Sequence, residues 1–297
     1  MKNYLSLVKF SHTIFAMPFA MIGFALGCRW MSDGEISKSI LYKVFAWKFL
    51  LVIICMITAR NAAMAFNRYI DRKYDELNPR TSIREIPAGI ITPQNALWFV
   101  VINSILFMAA SYFINSLCFY LSPVALMVIL GYSLTKRFTF LCHLILGVGL
   151  ALAPIGAYLA VVGAFNTLPL FFSFAVFFWV SGFDIIYALQ DEQFDKDNKL
   201  YSIPAYFGVA NAKWIARFLH LCSALCIVLA GYYGHFGLLY FLGVSVFVGL
   251  LLYQHYLVIR YGLQKINLAF FTTNGIASVL FSICVITDIV VSFFYFN

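Results

Sequence analysis

Apolar residues run along this chain in long blocks separated by short polar stretches. Nine segments can be marked off, near 12–30, 40–66, 95–114, 117–135, 139–163, 168–189, 211–233, 236–259 and 268–294. A bilayer span needs roughly 20 predominantly apolar residues, so these runs are too long for the core helices of a soluble domain. The pattern predicts an all-α, polytopic membrane protein of nine transmembrane helices. Pro18, Pro123, Pro154 and Gly156 interrupt several segments. Membrane helices tolerate such residues where neighbours satisfy the freed backbone groups. No stretch reads as a second, soluble domain, so residues 1–297 are expected to form a single membrane domain.

Composition agrees with that reading. Of 297 residues, 63% are hydrophobic, 19% aromatic and only 11% charged. A soluble domain is about half apolar and about a quarter charged. Met1 to Phe10 lacks a short apolar core followed by a small-residue cleavage site, so the first apolar run is expected to be a retained span. The seven cysteines lie in or beside apolar stretches, without ligand spacing, and are expected to be ordinary small buried residues.

Charge in the connections orients the chain. One side carries Lys2, Lys9, Arg68, Arg72, Lys73, Arg80, Arg84, Lys136, Arg137, Lys196, Lys199, Lys213, Arg260 and Lys265. Only the first connection on the other side breaks the pattern, with Arg29, Lys38 and Lys43 beside Asp33 and Glu35. The expectation is a cytoplasmic N-terminus, an outer C-terminus and an inner-membrane location. The net charge of +8 then sets topology and meets anionic lipid; it does not point to nucleic acid. No protein partner is predicted.

The carboxylates are distributed unevenly. Asp71, Asp75, Glu76 and Glu85 follow the second segment, and Asp184, Asp191, Glu192, Asp195 and Asp197 follow the sixth. Both groups fall on the cytoplasmic side, where they can face one cavity. Asn67, Asp71 and Asp75 are four apart, as are Asp191 and Asp195, so each set stacks along one face of a helix end. Asp184, seven residues before Asp191, is expected two turns back on the same stripe. Like charges at this spacing destabilise a helix, more so near lipid, and a divalent cation is the natural compensation. Oxygen-only ligands select hard cations, and Mg²⁺ uses one or two carboxylates plus water and phosphate. Two such faces among Arg and Lys side chains suit a diphosphate bridged by metal ions, which would help a C–O bond to ionise.

The stretch Asn67-Arg68-Tyr69-Ile70-Asp71-Arg72-Lys73-Tyr74-Asp75-Glu76-Leu77-Asn78-Pro79-Arg80-Thr81 resembles the NRxxDRxxDxxNPRT signature of the UbiA superfamily of intramembrane aromatic prenyltransferases. Arg84-Glu85-Ile86-Pro87-Ala88-Gly89 continues the likeness, and Asp184 to Asp195 is similar to that family's DxxYAxxDxxxD. The resemblance implies nine helices around a central cavity, short cap helices in the motif loops and a side opening for a polyprenyl tail. It assigns Mg²⁺ to Asp71 with Asp75 and to Asp191 with Asp195. Asn67, Arg72, Lys136, Arg137, Lys199 and Tyr187 become candidate substrate contacts.

The implied substrates are a polyprenyl diphosphate and an aromatic acceptor. The implied reaction ionises the allylic diphosphate, after which the ring attacks through carbon ortho to a hydroxyl. Asp71 and Asp191 are the candidate catalytic residues, Asp191 also being the candidate base. Lys9 to Phe19 resembles bacterial family members that act on 4-hydroxybenzoate, with Lys9 and His12 placed to meet an acceptor carboxylate. The alternative acceptor is 1,4-dihydroxy-6-naphthoate, in a menaquinone route.

Other polar residues read more plainly. His143, His220 and His255 are expected to be packing residues, and Asp288 to lie near the hydrated outer end of the last span. A cation-coupled transporter is the alternative of a different class. Its ion sites favour the bilayer midplane, whereas these carboxylates lie at span ends beside Arg and Lys.

Overall fold

The computed structural model describes residues 2–8, 15–32 and 38–295. Lys9 and His12 lie outside the described residues. A short helix α1 (Lys2–Leu7) precedes the main helices α2 (Met17–Ser32), α3 (Lys38–Leu77), α4 (Pro93–Ile114), α5 (Ser116–Thr135), α6 (Cys142–Val162) and α7 (Thr167–Ala188). A second short helix, α8 (Glu192–Asp197), is followed by α9 (Ile203–Tyr233), α10 (Leu238–Tyr261) and α11 (Thr273–Tyr295). Among the described residues eight helices are long and apolar enough to cross a membrane; the described part of the remaining main helix, α2, has 16 residues. The protein is an all-α, polytopic membrane protein.

Local sequence explains where the helices start and stop. The Thr92 hydroxyl accepts from the Asn95 amide and Pro93 opens α4; the Ser202 hydroxyl accepts from the Ala205 amide at the start of α9. Asn115 ends α4 and caps α5 through its bond from the Cys118 amide at 2.8 Å, so those helices turn back with one residue between them. The seventh segment begins earlier than the apolar pattern suggested. Helix α9 runs from Ile203 and kinks at Gly208, whose φ of 79° is open only to a residue without Cβ. Before the kink, Tyr206 stacks on Phe140 at 4.7 Å.

The core joins α2, α7, α9, α10 and α11 through Phe19, Phe172, Trp179, Ile227, Tyr240, Phe247 and Phe281, all fully buried. Without a hydrophobic drive between helices in lipid, close approach and buried hydrogen bonds hold the bundle. At Gly23 a Cβ would sit 2.0 Å from the Pro154 carbonyl oxygen, so α2 and α6 meet backbone to side-chain-free backbone there. Trp179 Nε1 donates to Asn274 Oδ1 at 3.0 Å, tying α7 to α11 in a dry setting. Trp98, Phe113, Tyr120 and Leu238 remain exposed on the perimeter, as lipid-facing side chains do.

Asp288 is 4% exposed, and its role differs from that of a hydrated end residue. Its oxygens accept from the amides of Gly237 (2.8 Å) and Tyr240 (3.2 Å), so α11 supplies the N-terminal cap of α10. The motif loops also differ from expectation. The second contains a 3-10 turn (Leu189–Asp191) and α8, whereas residues 78–91 form linked turns without a cap helix. Pro79, Pro87 and Gly89, with φ of 72° at the last, keep that loop from closing into a helix.

Candidate active site

The ends of α3, α5 and α7 and the start of α6 come together on one side of the bundle, enclosing a cavity of about 280 Å³. Both acidic clusters reach it. Asp71 and Asn67 line it from α3, and Asp184, Tyr187 and Asp191 from α7 and its 3-10 extension. Lys136, Arg68 and Arg84 add positive charge, and Phe183, Phe270 and Phe271 form an aromatic wall. Tyr187 packs against Phe270 with centroids 4.2 Å apart.

Helix α3 continues well beyond its apolar part, and this makes the four-residue spacing of the first cluster work. Asn67 Nδ2 donates to Asp71 Oδ2 at 3.0 Å, one turn on. Arg137, from the α5–α6 connection, donates to Asp71 Oδ1 at 3.1 Å and to the Ile70 carbonyl at 2.9 Å. Asp75 is 5% exposed and does not line the cavity; its Oδ1 receives Arg84 Nη1 at 2.6 Å, while Oδ2 is buried without a partner.

The second cluster is arranged differently. Asp184, two turns back along α7, lines the same cavity as Tyr187 and Asp191 despite the 3-10 turn between α7 and α8, and it also meets His143. His143 Nδ1 lies 2.6 Å from Asp184 Oδ2, and both residues line the cavity. Asp195 is fully buried, outside the cavity lining, with Oδ1 2.7 Å from Lys136 Nζ. Burial disfavours the Lys136 ammonium, but the adjacent Asp195 carboxylate favours it more, and its pKa is raised.

Arg80 joins the two clusters directly. Its Nη2 donates to both Asp191 oxygens at 2.9 and 2.7 Å, its Nε reaches Oδ1 at 3.2 Å, and Nη1 reaches the Tyr187 hydroxyl at 3.3 Å. The first motif loop therefore touches the end of α7, and both acidic motifs lie on the same side. The loop is shaped for this by Asn78, whose Oδ1 accepts from the Arg80 amide, and by Thr81, whose hydroxyl donates to the Asp75 carbonyl.

Three expected substrate contacts lie outside the cavity lining: Arg137, which holds Asp71 instead, Arg72 and Lys199. Arg72 donates to the Tyr69 carbonyl at 2.6 Å and stacks over the Tyr69 ring, outside the cavity lining. Lys199 is exposed, follows α8 with φ of 54°, and is also outside the lining. Arg60, His143 and Tyr132 line the cavity without having been singled out as site residues. Arg60 had a readable signal, since a charge in the middle of an apolar segment marks a functional candidate. His220 and His255 bond each other at 2.9 Å, in keeping with packing.

The donors suit a hard cation. Among the described residues no three His, Cys, Asp or Glu side chains converge, so the site offers no closed all-protein cage. It offers separate carboxylates with an amide oxygen nearby and one unpartnered buried oxygen on Asp75, a set that matches Mg²⁺ completed by water and phosphate.

The fold and this polar end define a polytopic membrane enzyme, and similarity to known proteins narrows the class. Residues 16–276 match the UbiA prenyltransferase family. A relative from Shewanella woodyi named 4-hydroxybenzoate octaprenyltransferase is 30% identical over 72% of this chain and 74% of its own length. One of the same name from Shewanella amazonensis is 31% identical over 73% of each. An apo UbiA homolog from Aeropyrum pernix K1 superposes with a TM-score of 0.81 at 26% identity, covering 93% of this chain and 98% of that one. A UbiA homolog from Archaeoglobus fulgidus bound to DMAPP and Mg²⁺ shares the fold, with a TM-score of 0.72 at 21% identity over 97% and 99%. The chain belongs to the UbiA prenyltransferase family and is an integral membrane prenyltransferase.

Proposed function

We propose that this enzyme transfers a polyprenyl group from its diphosphate to a hydroxyaryl carboxylate in quinone biosynthesis, with 4-hydroxybenzoate the first acceptor and 1,4-dihydroxy-6-naphthoate the second. The observation that carries the reading is the single cavity lined by Asp71 and Asp191, one from each acidic cluster, together with Lys136, Arg68 and Arg84. The names of the Shewanella relatives support the acceptor, and the DMAPP and Mg²⁺ of the Archaeoglobus homolog support the donor and the metal.

Asp71, with Asn67 beside it and Asp75 one turn on, would hold one Mg²⁺, and Asp191 with Asp195 a second. Bound there, Mg²⁺ neutralises charge on the diphosphate. Lys136, Arg84 and Arg68 are fixed cations that favour the same anion as its negative charge grows. The aromatic wall of Phe183, Phe270 and Phe271 excludes water, which would otherwise capture the allylic cation. Arg60 lies eleven residues before Asp71 on α3, about 16 Å along the axis. Its half-buried guanidinium, with Nε buried and unpartnered, suits the acceptor carboxylate. The lysines and arginines at the same helix ends support a cavity facing the cytoplasm of a bacterial-type inner membrane.

The test is reconstitution in detergent or membranes with Mg²⁺ and geranyl diphosphate, giving each acceptor separately. Prenylated acid and released diphosphate are expected. Failure with both acids under conditions where the protein binds geranyl diphosphate would remove the acceptor assignment.

A further inference from the structure

Arg60 Nε, Arg68 Nε, Ser133 Oγ and His143 Nε2 on the cavity wall are buried without a partner among the described residues, and of these residues only His143 can act as a base near neutral pH. It sits in the first turn of α6 and is 3% exposed. An ionised carboxylate only accepts hydrogen bonds, so the Asp184 contact at 2.6 Å places the ring proton on Nδ1. In the neutral imidazole Nε2 is then the acceptor. It is buried and has no partner among the described residues. A buried acceptor without a donor is costly, and a ligand that brings one relieves that cost.

The substrates of the proposed reaction differ in what they can bring. The diphosphate presents acceptor oxygens in its ionised form, and the prenyl chain has no polar hydrogen. The hydroxyl of the aromatic acid is a donor. Asp191, the expected base, already receives three contacts from Arg80 across its two oxygens. His143 has no such competitor at Nε2.

Building on the proposed hydroxyaryl acceptor, we infer that His143, oriented by Asp184, is the catalytic base that takes the proton of the acceptor's hydroxyl. The hydroxyl proton moves to Nε2 as the ring carbon beside that oxygen bonds to C1 of the prenyl group. The C1–O bond breaks and its electron pair leaves with the diphosphate. The proton on the alkylated ring carbon then passes to a diphosphate oxygen, and Nε2 returns its proton to the ring oxygen. The products are the prenylated phenol, protonated diphosphate and a neutral imidazole. Asp184 is a positioning residue: it fixes the tautomer and stabilises the transient imidazolium.

The experiment uses the full chain with Mg²⁺, geranyl diphosphate and 4-hydroxybenzoate, comparing His143→Ala and His143→Gln with the parent. Turnover should fall about 100-fold or more, in the range of a lost general base, while KM for geranyl diphosphate changes less than about threefold. Ring-halogenated 4-hydroxybenzoates of lower phenol pKa should restore rate steeply in the variants and only weakly in the parent. Turnover within about threefold of the parent, a parallel loss of donor affinity (a cation for diphosphate), or the same dependence on phenol pKa would each overturn the assignment. Should the variants fail to fold, the parent gives a separate readout. 4-Fluorobenzoate, which matches the hydroxyl in size but donates nothing, should compete about tenfold more weakly than 4-hydroxybenzoate binds; equal affinity would sink the idea. A parent enzyme inactive on every hydroxyaryl acid tested would instead remove the acceptor reading on which this rests.

Discussion

The two acidic clusters repeat the same four-residue step, yet their helices treat it differently. In the first, α3 continues unbroken to Leu77 and Asn67 and Asp71 bond along one face. In the second, a 3-10 turn at Leu189–Asp191 interrupts the helix between α7 and α8, and Asp184, still facing the cavity with Asp191, pairs with His143 on another helix. What survives in both is a division of labour. One carboxylate of each pair lines the cavity, and the other is buried against a cation, Asp75 with Arg84 and Asp195 with Lys136. Equal spacing therefore yields the same division of labour even where the helix is interrupted.

The strongest way to break this comparison is to remove one cavity carboxylate at a time. Asp71→Ala and Asp191→Ala should each lower turnover by about 1000-fold or more while the protein still inserts, as measured by product formation on purified protein. Normal activity in either variant would end the equivalence of the two clusters. EDTA should silence the parent to the same degree, with recovery on adding Mg²⁺; full rates in chelator would refute the metal assignment.

The buried partners should report on stability. Lys136→Met leaves Asp195 charged and alone, at a cost of about 2 kcal/mol, discounted because a third of the lysine side chain is exposed. Adding Asp195→Asn should return part of the lost melting temperature; no recovery would mean the pair is not what the lysine stabilises. Because the folded pKa of Lys136 is raised, the pair's contribution is complete below the ordinary lysine range and disappears only as pH climbs through the higher folded value. The effect of Lys136→Met should thus be level from about pH 6 to about pH 9.

Smaller effects sharpen the picture further. Arg80→Ala unties the first motif loop from Asp191 and should raise KM for the prenyl diphosphate about tenfold. Arg72→Ala should change turnover by less than about twofold, since its guanidinium serves Tyr69. A large loss there would mean that Arg72 leaves this position when substrate binds.

Most of the fold was legible because apolar length is a one-dimensional signal, and the nine segments reappear as nine main helices among the described residues. Starts and stops were less so. The kink at Gly208 and the polar extension of α3 depend on backbone geometry and tertiary contacts that an apolar count does not register. At the site, Asp71 and Asp191 were readable from spacing, whereas their use of Arg137 and Arg80 depends on how the connections fold back. His143 looked like a packing residue because its partner lies forty-one positions away. Arg60 is the avoidable omission, since its place inside an apolar run was visible from the start.

The carboxylate of Asp288 has a bearing on how the protein is made. Two amides at the start of α10 find their acceptor on α11, which is synthesised later. In lipid those amides have no water to turn to, so α10 gains its full stability in the bilayer only when the following helix arrives. The last two helices should therefore enter as a hairpin, and a nascent chain stopped short of residue 288 should leave α10 loosely seated at the translocon.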